Sequence, residues 1–347
     1  MRHSVMTRRA ALAGLLAAPE AWAQSLTDDV SGGPAADRMP QTARYSHERG
    51  GGGFIAMRHG VAIAESHANG SDPTMALPWR SASAGFALVL AAALARDRLL
   101  TLDEPAAFTL PEWSAEPNKQ RITIRHLLQQ TSGLATLAPG AASPILPDVI
   151  AAPGVYEPGQ AFHEDPTGLQ AFAEIVRRKL IQAGAPGDPA TYLQLRALEN
   201  VGASPVIWSR QADGLMDLAN GAAASLRAIA RLAEFVRRRG LWRANFQVHA
   251  PTLDAGLVGS FASAGRVGFG WRLADGAALT GGEPLAVTSD LWGASDFPAD
   301  IIFLANNAGG RLFVAPSHAL VVGRTALSPG GPAWSDAAFL RLALSGA

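Results

Sequence analysis

The chain has 347 residues, 48% hydrophobic and 17% charged, which is enough apolar material for one large domain or two smaller ones and excludes wholesale disorder. Its 29 basic and 29 acidic residues cancel, so no net field draws it to nucleic acid or to an anionic membrane. The absence of cysteine excludes disulfide scaffolds, redox CxxC motifs and thiolate zinc sites.

Thr7-Arg8-Arg9 leads into an apolar run from Ala10 to Ala18, and Ala21-Trp22-Ala23 offers a small-x-small cleavage site before Gln24. Residues 1–23 read as an export signal. The paired arginines point to the twin-arginine route, with an ordinary Sec signal as the alternative. The run is too short to span a bilayer stably. The expectation is a periplasmic or secreted mature protein without a transmembrane anchor. Residues 24–50 are polar and small and read as a flexible leader, with the glycine run Gly50 to Gly53 as a joint.

Two short strands follow, Phe54 to Arg58 and Val61 to Ala64, around a His59-Gly60 turn. Residues 81–97 are apolar nearly all round and predict a helix buried on most faces. Ile122 to Leu128 leads to Thr131-Ser132-Gly133, where Gly133 suits a helix C-cap. Residues 135–166 are rich in proline and read as loop. Leu169, Phe172, Ile175, Val176 and Leu180 then share one helical face. Asp188-Pro189 predicts the start of another helix, and Ser225 caps a third that ends before Gly240.

After Gly265 the pattern turns to strands. Val267 to Leu273, Leu285 to Leu291, Ile301 to Ala305, Arg311 to Val314 and Leu320 to Arg324 are short and β-rich, and Trp334 to Leu344 reads as a final helix. Strands at both ends with helices between predict an α/β (α+β) fold. An antiparallel sheet built from about residues 51–80 and 266–345 is flanked by helices, beside a mostly helical insertion over about 99–265.

Four stretches carry a resemblance. Trp79 to Pro105 holds Ser81 at the start of an apolar helix and a Thr101-Leu102-Asp103-Glu104-Pro105 turn at its end. The others are Ile122 to Leu134, Gly268-Phe269-Gly270-Trp271, and Leu312 to Arg324 with Pro316-Ser317-His318. In this order, over roughly residues 50–345, they resemble the serine β-lactamase and penicillin-binding-protein superfamily, in its class C β-lactamase, esterase and 6-aminohexanoate-dimer hydrolase branch. The resemblance implies a cleft between sheet and helical part, with Ser81 as nucleophile.

The polar residues of that family's site are altered here. A serine hydroxyl needs a base within hydrogen-bond reach. The family places a lysine three residues after the serine, on the same helix face. Ala84 stands there. The family's second motif is a tyrosine with an asparagine two residues on, after a Pro-Gly turn. After Pro158-Gly159 that register puts Glu164 and Pro166 at the two positions. Glu164 is the candidate substitute base, with His163 beside it as a weaker one. In the third motif Asn307-Ala308-Gly309 replaces a lysine or histidine, any residue and glycine. Gly309 and Gly310 would let a substrate approach the strand, Asn307 would bind it, and the amides of Ser81 and Gly310 would form an oxyanion hole.

Structural roles compete with each of these. Ser81 suits a helix N-cap, Glu164-Asp165 suits the cap of the helix near Thr167, and Asn306 to Gly310 suits a hairpin turn. His126 reads as a structural histidine, and Trp271 and Trp292 as core or cleft lining. His249 and His318 have no partners at metal-ligand spacing, so no metal or cofactor is expected. Two functions remain open. One is an exported serine hydrolase acting weakly on an ester or amide through Ser81. The other is a pseudoenzyme whose cleft binds a small molecule, peptide, cell-wall fragment or protein partner.

Overall fold

The computed structural model describes residues 39–135, 142–279, 285–327 and 333–345; the expected export signal lies outside them. Both ends of the described chain build one antiparallel sheet. Strands β1 (Gly51–Arg58) and β2 (Val61–His67) form an N-terminal hairpin. From the C-terminal part come β3 (Arg272–Leu273), β4 (Ile302–Ala305), β5 (Arg311–Ala315) and β6 (Leu320–Ala326). Their order is β2-β1-β6-β5-β4-β3, so the two ends of the chain meet at the β1–β6 pair, with Met57 opposite Val321.

Alternation along these strands sends successive side chains to opposite faces. Ile55, Met57, Leu304, Leu312, Val314 and Val321 face one core; Phe54, Ala56, Phe303, Phe313 and Val322 face another. Because both faces are covered, β1 is buried along almost its whole length.

The outer face is covered by helices α1 (Met39–Glu48) and α5 (Asp336–Leu344). The inner face meets α2 (Phe86–Arg96) and α4 (Leu226–Arg237). Helix α3 (Pro166–Gln182) belongs to the inserted helical part. Side-chain caps start three of them: Asp165 accepts from Thr167 N–H, Ser225 from Ala228 N–H and Ser335 from Ala338 N–H. Asp188 caps a short helix Pro189–Leu193 as the sequence predicts. No helix among the described residues is long and apolar enough to cross a membrane.

The structure departs from the sequence reading in six places: Leu146–Ala151 is a short helix inside the stretch read as loop, only Arg272–Leu273 of the expected Val267–Leu273 strand joins the sheet, and four further differences follow. Part of the expected flexible leader is α1, whose Met39, Thr42, Ala43 and Ser46 form a narrow buried stripe in an otherwise polar segment. The expected glycine joint is the start of β1. A Cβ on Gly51 would lie 2.3 Å from Ser46 Oγ, so this glycine allows α1 to sit close to the strand. Leu285 to Leu291 makes no strand; Ala286 N–H donates to Glu164 and Ser289 Oγ to Asp336 instead. A small second sheet also joins Leu77–Pro78, which precedes the helical insertion, to Ala222–Ala224 and Val206–Trp208 within it.

Candidate functional site

Ser81 sits on a 3-10 turn, Arg80–Gly85, that runs directly into α2. Four hydrogen bonds fix this turn. Trp79 N–H donates to Ala222 O at 2.8 Å, and its indole Nε1 donates to Ala224 O at 3.2 Å. Ser83, the second serine of the stretch, accepts from Ala222 N–H at 3.0 Å and is fully buried, so its role is structural. Trp271 Nε1 donates to Gly85 O at 3.0 Å. Beside it, Gly270 has φ +75°, and a Cβ there would lie 2.2 Å from Ala84 O. The Gly268–Trp271 motif is thus the buttress behind the serine turn. Arg80, just before the serine, is held at φ +46°, a left-handed conformation that costs a non-glycine residue about 1–3 kcal/mol.

A cleft of about 680 Å³ opens in front of this turn, a volume suited to a small-molecule ligand. Its walls come from the serine turn, from Gln130, from residues 164–166 at the start of α3, from Asp217 to Asn220, and from Asn307 in the β4–β5 turn. The structure therefore brings Ser81, Ala84, Glu164, Pro166 and Asn307 to one cavity. It does not bring His163, Gly309 or Gly310 to that lining. The His163 ring stacks on Tyr156 at 5.4 Å.

Two expectations need revision. Glu164 Oε1 accepts from Arg272 Nη2 at 2.7 Å, and Oε2 accepts from Ala286 N–H at 2.8 Å. Only 2% of the Arg272 side chain and 10% of the Glu164 side chain are exposed. Both carboxylate oxygens are committed to donors, one of them a buried cation. The arrangement leaves neither Glu164 oxygen without a donor inside the protein, where the expected substitute base would need one free. The Gly310 N–H, expected in an oxyanion hole, donates to Asn306 Oδ1 at 2.8 Å, and Ala308 N–H donates to the same oxygen at 3.0 Å. The Asn306 side chain thus organises the β4–β5 turn and occupies the amide that a substrate oxygen would need.

Ser81 Oγ is shielded from solvent and has no hydrogen-bond partner among the described residues. Ala84, 6% exposed, offers no acceptor. Among the described residues, the N–H groups of Ser81 and Asn307 likewise have no acceptor.

Three lining residues carry chemistry that the sequence did not reveal. Asp165 caps α3 through Oδ1 at 2.8 Å from Thr167 N, and burial pushes its carboxyl up from the ordinary value. Asp217, 8% exposed, accepts from Ser143 Oγ at 2.7 Å and from Asn220 N–H at 3.0 Å. Gln130 is 6% exposed, is held at φ +57° and makes no side-chain hydrogen bond among the described residues. Gln130, not Gly133, takes the left-handed position after the short helix Ile124–Leu128, and this is the one signal a sequence cannot carry for a non-glycine residue.

The other polar residues are structural. His126 closes a capping box with Thr123. His249 Nδ1 contacts Thr252 Oγ1 at 2.9 Å. Trp271 and Trp292 are buried. No cluster of three or more metal-ligating side chains occurs among the described residues.

A sequence profile of the family described as "Beta-lactamase" matches residues 27–322. Solved structures share the fold at low identity. A putative 6-aminohexanoate-dimer hydrolase from Bacillus anthracis superposes with a TM-score of 0.63 at 13% identity, covering 87% of this chain and 79% of that one. A putative β-lactamase from Bacteroides dorei DSM 17855 gives 0.67 at 14% identity, covering 89% and 97%. A family VIII carboxylesterase gives 0.66 at 13% identity, covering 90% and 97%. No match was found among curated proteins. The matched span takes in both halves of the sheet, the serine turn and the whole helical insertion, and on that span the chain belongs to the β-lactamase family.

Proposed function

We propose that this chain is a ligand-binding member of its family, a pseudoenzyme in which Ser81 no longer carries out efficient acyl transfer. One observation carries the reading: Ser81 Oγ has no hydrogen-bond partner among the described residues, with Ala84 where the base would stand. An unactivated serine hydroxyl is a poor nucleophile, and losing a positioned general base costs roughly 10²–10⁴-fold in rate. The ion pair that holds Glu164 removes the substitute. The cleft itself is kept open and is lined by amides, hydroxyls and carboxylates, which suits it to a small-molecule or peptide ligand. The acceptor-free N–H groups of Ser81 and Asn307 are suited to a ligand oxygen.

A second reading is favoured by Asp165. Its carboxyl is pushed up by burial, lines the cleft and leaves one oxygen uncommitted, so it could serve a slow, Ser81-dependent hydrolysis of an ester or amide. Intact-mass analysis after exposure to a fluorophosphonate separates the two. An unmodified protein supports the binding reading. A stoichiometric adduct that disappears in Ser81→Ala supports the hydrolase.

We also infer that the protein acts outside the cytoplasm. Thr7-Arg8-Arg9, the apolar run to Ala18 and the Ala21-Trp22-Ala23 site support this. A reporter fused to residues 1–23 tests it by its location.

A further inference from the structure

The chain is neutral as a whole but not locally. Residues 225–258 hold six arginines against Glu234 and Asp254, so this stretch carries +4 and the remainder of the chain −4. Three of the arginines are neutralised within the protein: Arg227 by Glu65 and Arg237 by Glu234, at 2.8 and 2.7 Å, and Arg239 by Asp254.

Arg231 and Arg238 form no ion pair among the described residues. Both lie over one indole instead, their guanidinium carbons 6.0 and 5.4 Å from the centroid of the Trp242 ring. Seven positions apart along α4 and its C-cap, they share one face of the helix. The acid nearest to them in the chain, Glu234, has both oxygens on Arg237, at 2.7 Å each. Burial pushes the Arg231 guanidinium below its ordinary value. A half-buried cation without a carboxylate is costly to keep charged, and an incoming anion relieves that cost.

Beyond Gly240 the chain forms a hairpin, Leu241–Trp242 with Asn245–Phe246. Arg243 and Ala244 make its turn, both in the left-handed region at φ +48° and +63°. Such a turn is usually filled by Asn-Gly, because a Cβ is disfavoured at both positions. An arginine stands at the tip here, at a conformational cost that a glycine would avoid. Residues 243–246 are all exposed, and Phe246 shows 52% of its surface to solvent. A soluble anion would use the guanidiniums but not this ring. A bilayer surface uses both, since aromatic rings sit at the headgroup boundary and arginines meet the phosphates. The export signal read at residues 1–23 also brings the chain to a membrane.

We propose that the basic face of α4 and the hairpin 241–246 form a docking surface for a bilayer rich in anionic phospholipid. Arg231 and Arg238 meet lipid phosphates, and Phe246 enters the headgroup boundary. The attachment is peripheral and independent of what the cleft binds.

The chain has no cysteine, so Asn245→Cys gives a single attachment point for an environment-sensitive dye at the hairpin tip. On the intact chain, vesicles of phosphatidylcholine mixed with phosphatidylglycerol should shift the dye emission to the blue, and vesicles of phosphatidylcholine alone should not. A dye at Arg341→Cys, on α5 across the sheet, should shift with neither. Arg231→Gln and Arg238→Gln should each weaken the vesicle titration roughly five-fold, and Arg341→Gln, which removes the same charge from α5, should leave it within about two-fold. Phe246→Ser should weaken it several-fold. No shift at position 245 overturns the proposal, and so do equal shifts with both kinds of vesicle. The same shift with inorganic phosphate alone assigns a free oxyanion site and overturns the bilayer. Should the dye disturb the hairpin, sedimentation of the unlabelled chain with the same vesicles carries the test, and arginine variants that sediment as wild type does overturn the surface.

Discussion

The Glu164 carboxylate and the Arg272 guanidinium meet at 2.7 Å at the cleft wall, joining the start of α3 to strand β3. The pair links the helical insertion to the sheet and takes out of play the carboxylate best placed by sequence to replace a lost lysine. Removing one partner of a buried pair typically costs about 3–5 kcal/mol, because the other charge is left uncompensated. Arg272→Met is expected to destabilise by about that amount in urea unfolding, and adding Glu164→Leu to recover most of the loss. Additive losses in the double variant would refute the pairing.

Asn306 Oδ1 receives two backbone N–H groups, from Ala308 and Gly310, in a buried turn. Asn306→Ala strands both donors and is expected to cost about 1–3 kcal/mol by urea unfolding. Asn306→Asp keeps the acceptor and should cost less.

Gly270 supports the serine turn from behind, at φ +75° and with Ala84 O where its Cβ would go. Gly270→Ala is expected to cost about 2–4 kcal/mol, since the clash is with backbone and the conformation disfavours a side chain. A melting temperature within about 1 °C of wild type would show that the turn yields freely.

His126 gives a pH dependence. Burial holds its imidazole below the ordinary value of 6.5, and its Nδ1 accepts from Thr123 N–H at 3.2 Å in the neutral form. The unfolded chain therefore binds this proton first. The stability that His126 contributes is complete above the unfolded value and is lost as pH falls through the depressed folded value. His126→Gln keeps a capping-box side chain and should flatten the urea-midpoint profile on the acid side of neutrality. An unchanged profile would assign the acid sensitivity elsewhere.

The sheet was legible because β4, β5 and β6 are short runs of apolar residues broken by turn residues, and because β1 and β2 flank a His-Gly turn. Helix α1 was not, since four buried residues in a polar segment give too weak a stripe to stand out. The serine turn and the altered Ala84 were legible by spacing. Glu164 was placed in the right cavity, but its partner Arg272 is 108 positions away in the chain, and a lone arginine in Gly-Trp-Arg-Leu carries no local sign of that contact. Separations of 46 and 48 positions likewise hid the hydrogen bonds of the Gln170 side chain to the Met216 carbonyl and the Leu218 N–H. The capping role of Asn306 was not legible, because which amides its side chain would cap is settled by the register of β4 against β5.

The central claim is that Ser81 lies in an open cleft without a base. Steady-state hydrolysis of p-nitrophenyl butyrate by wild type and by Ser81→Ala, compared at equal concentration, measures it most directly. Equal rates within about two-fold, both near the uncatalysed background, are expected. A wild-type rate about 100-fold or more above Ser81→Ala would contradict it and establish Ser81 as an activated nucleophile.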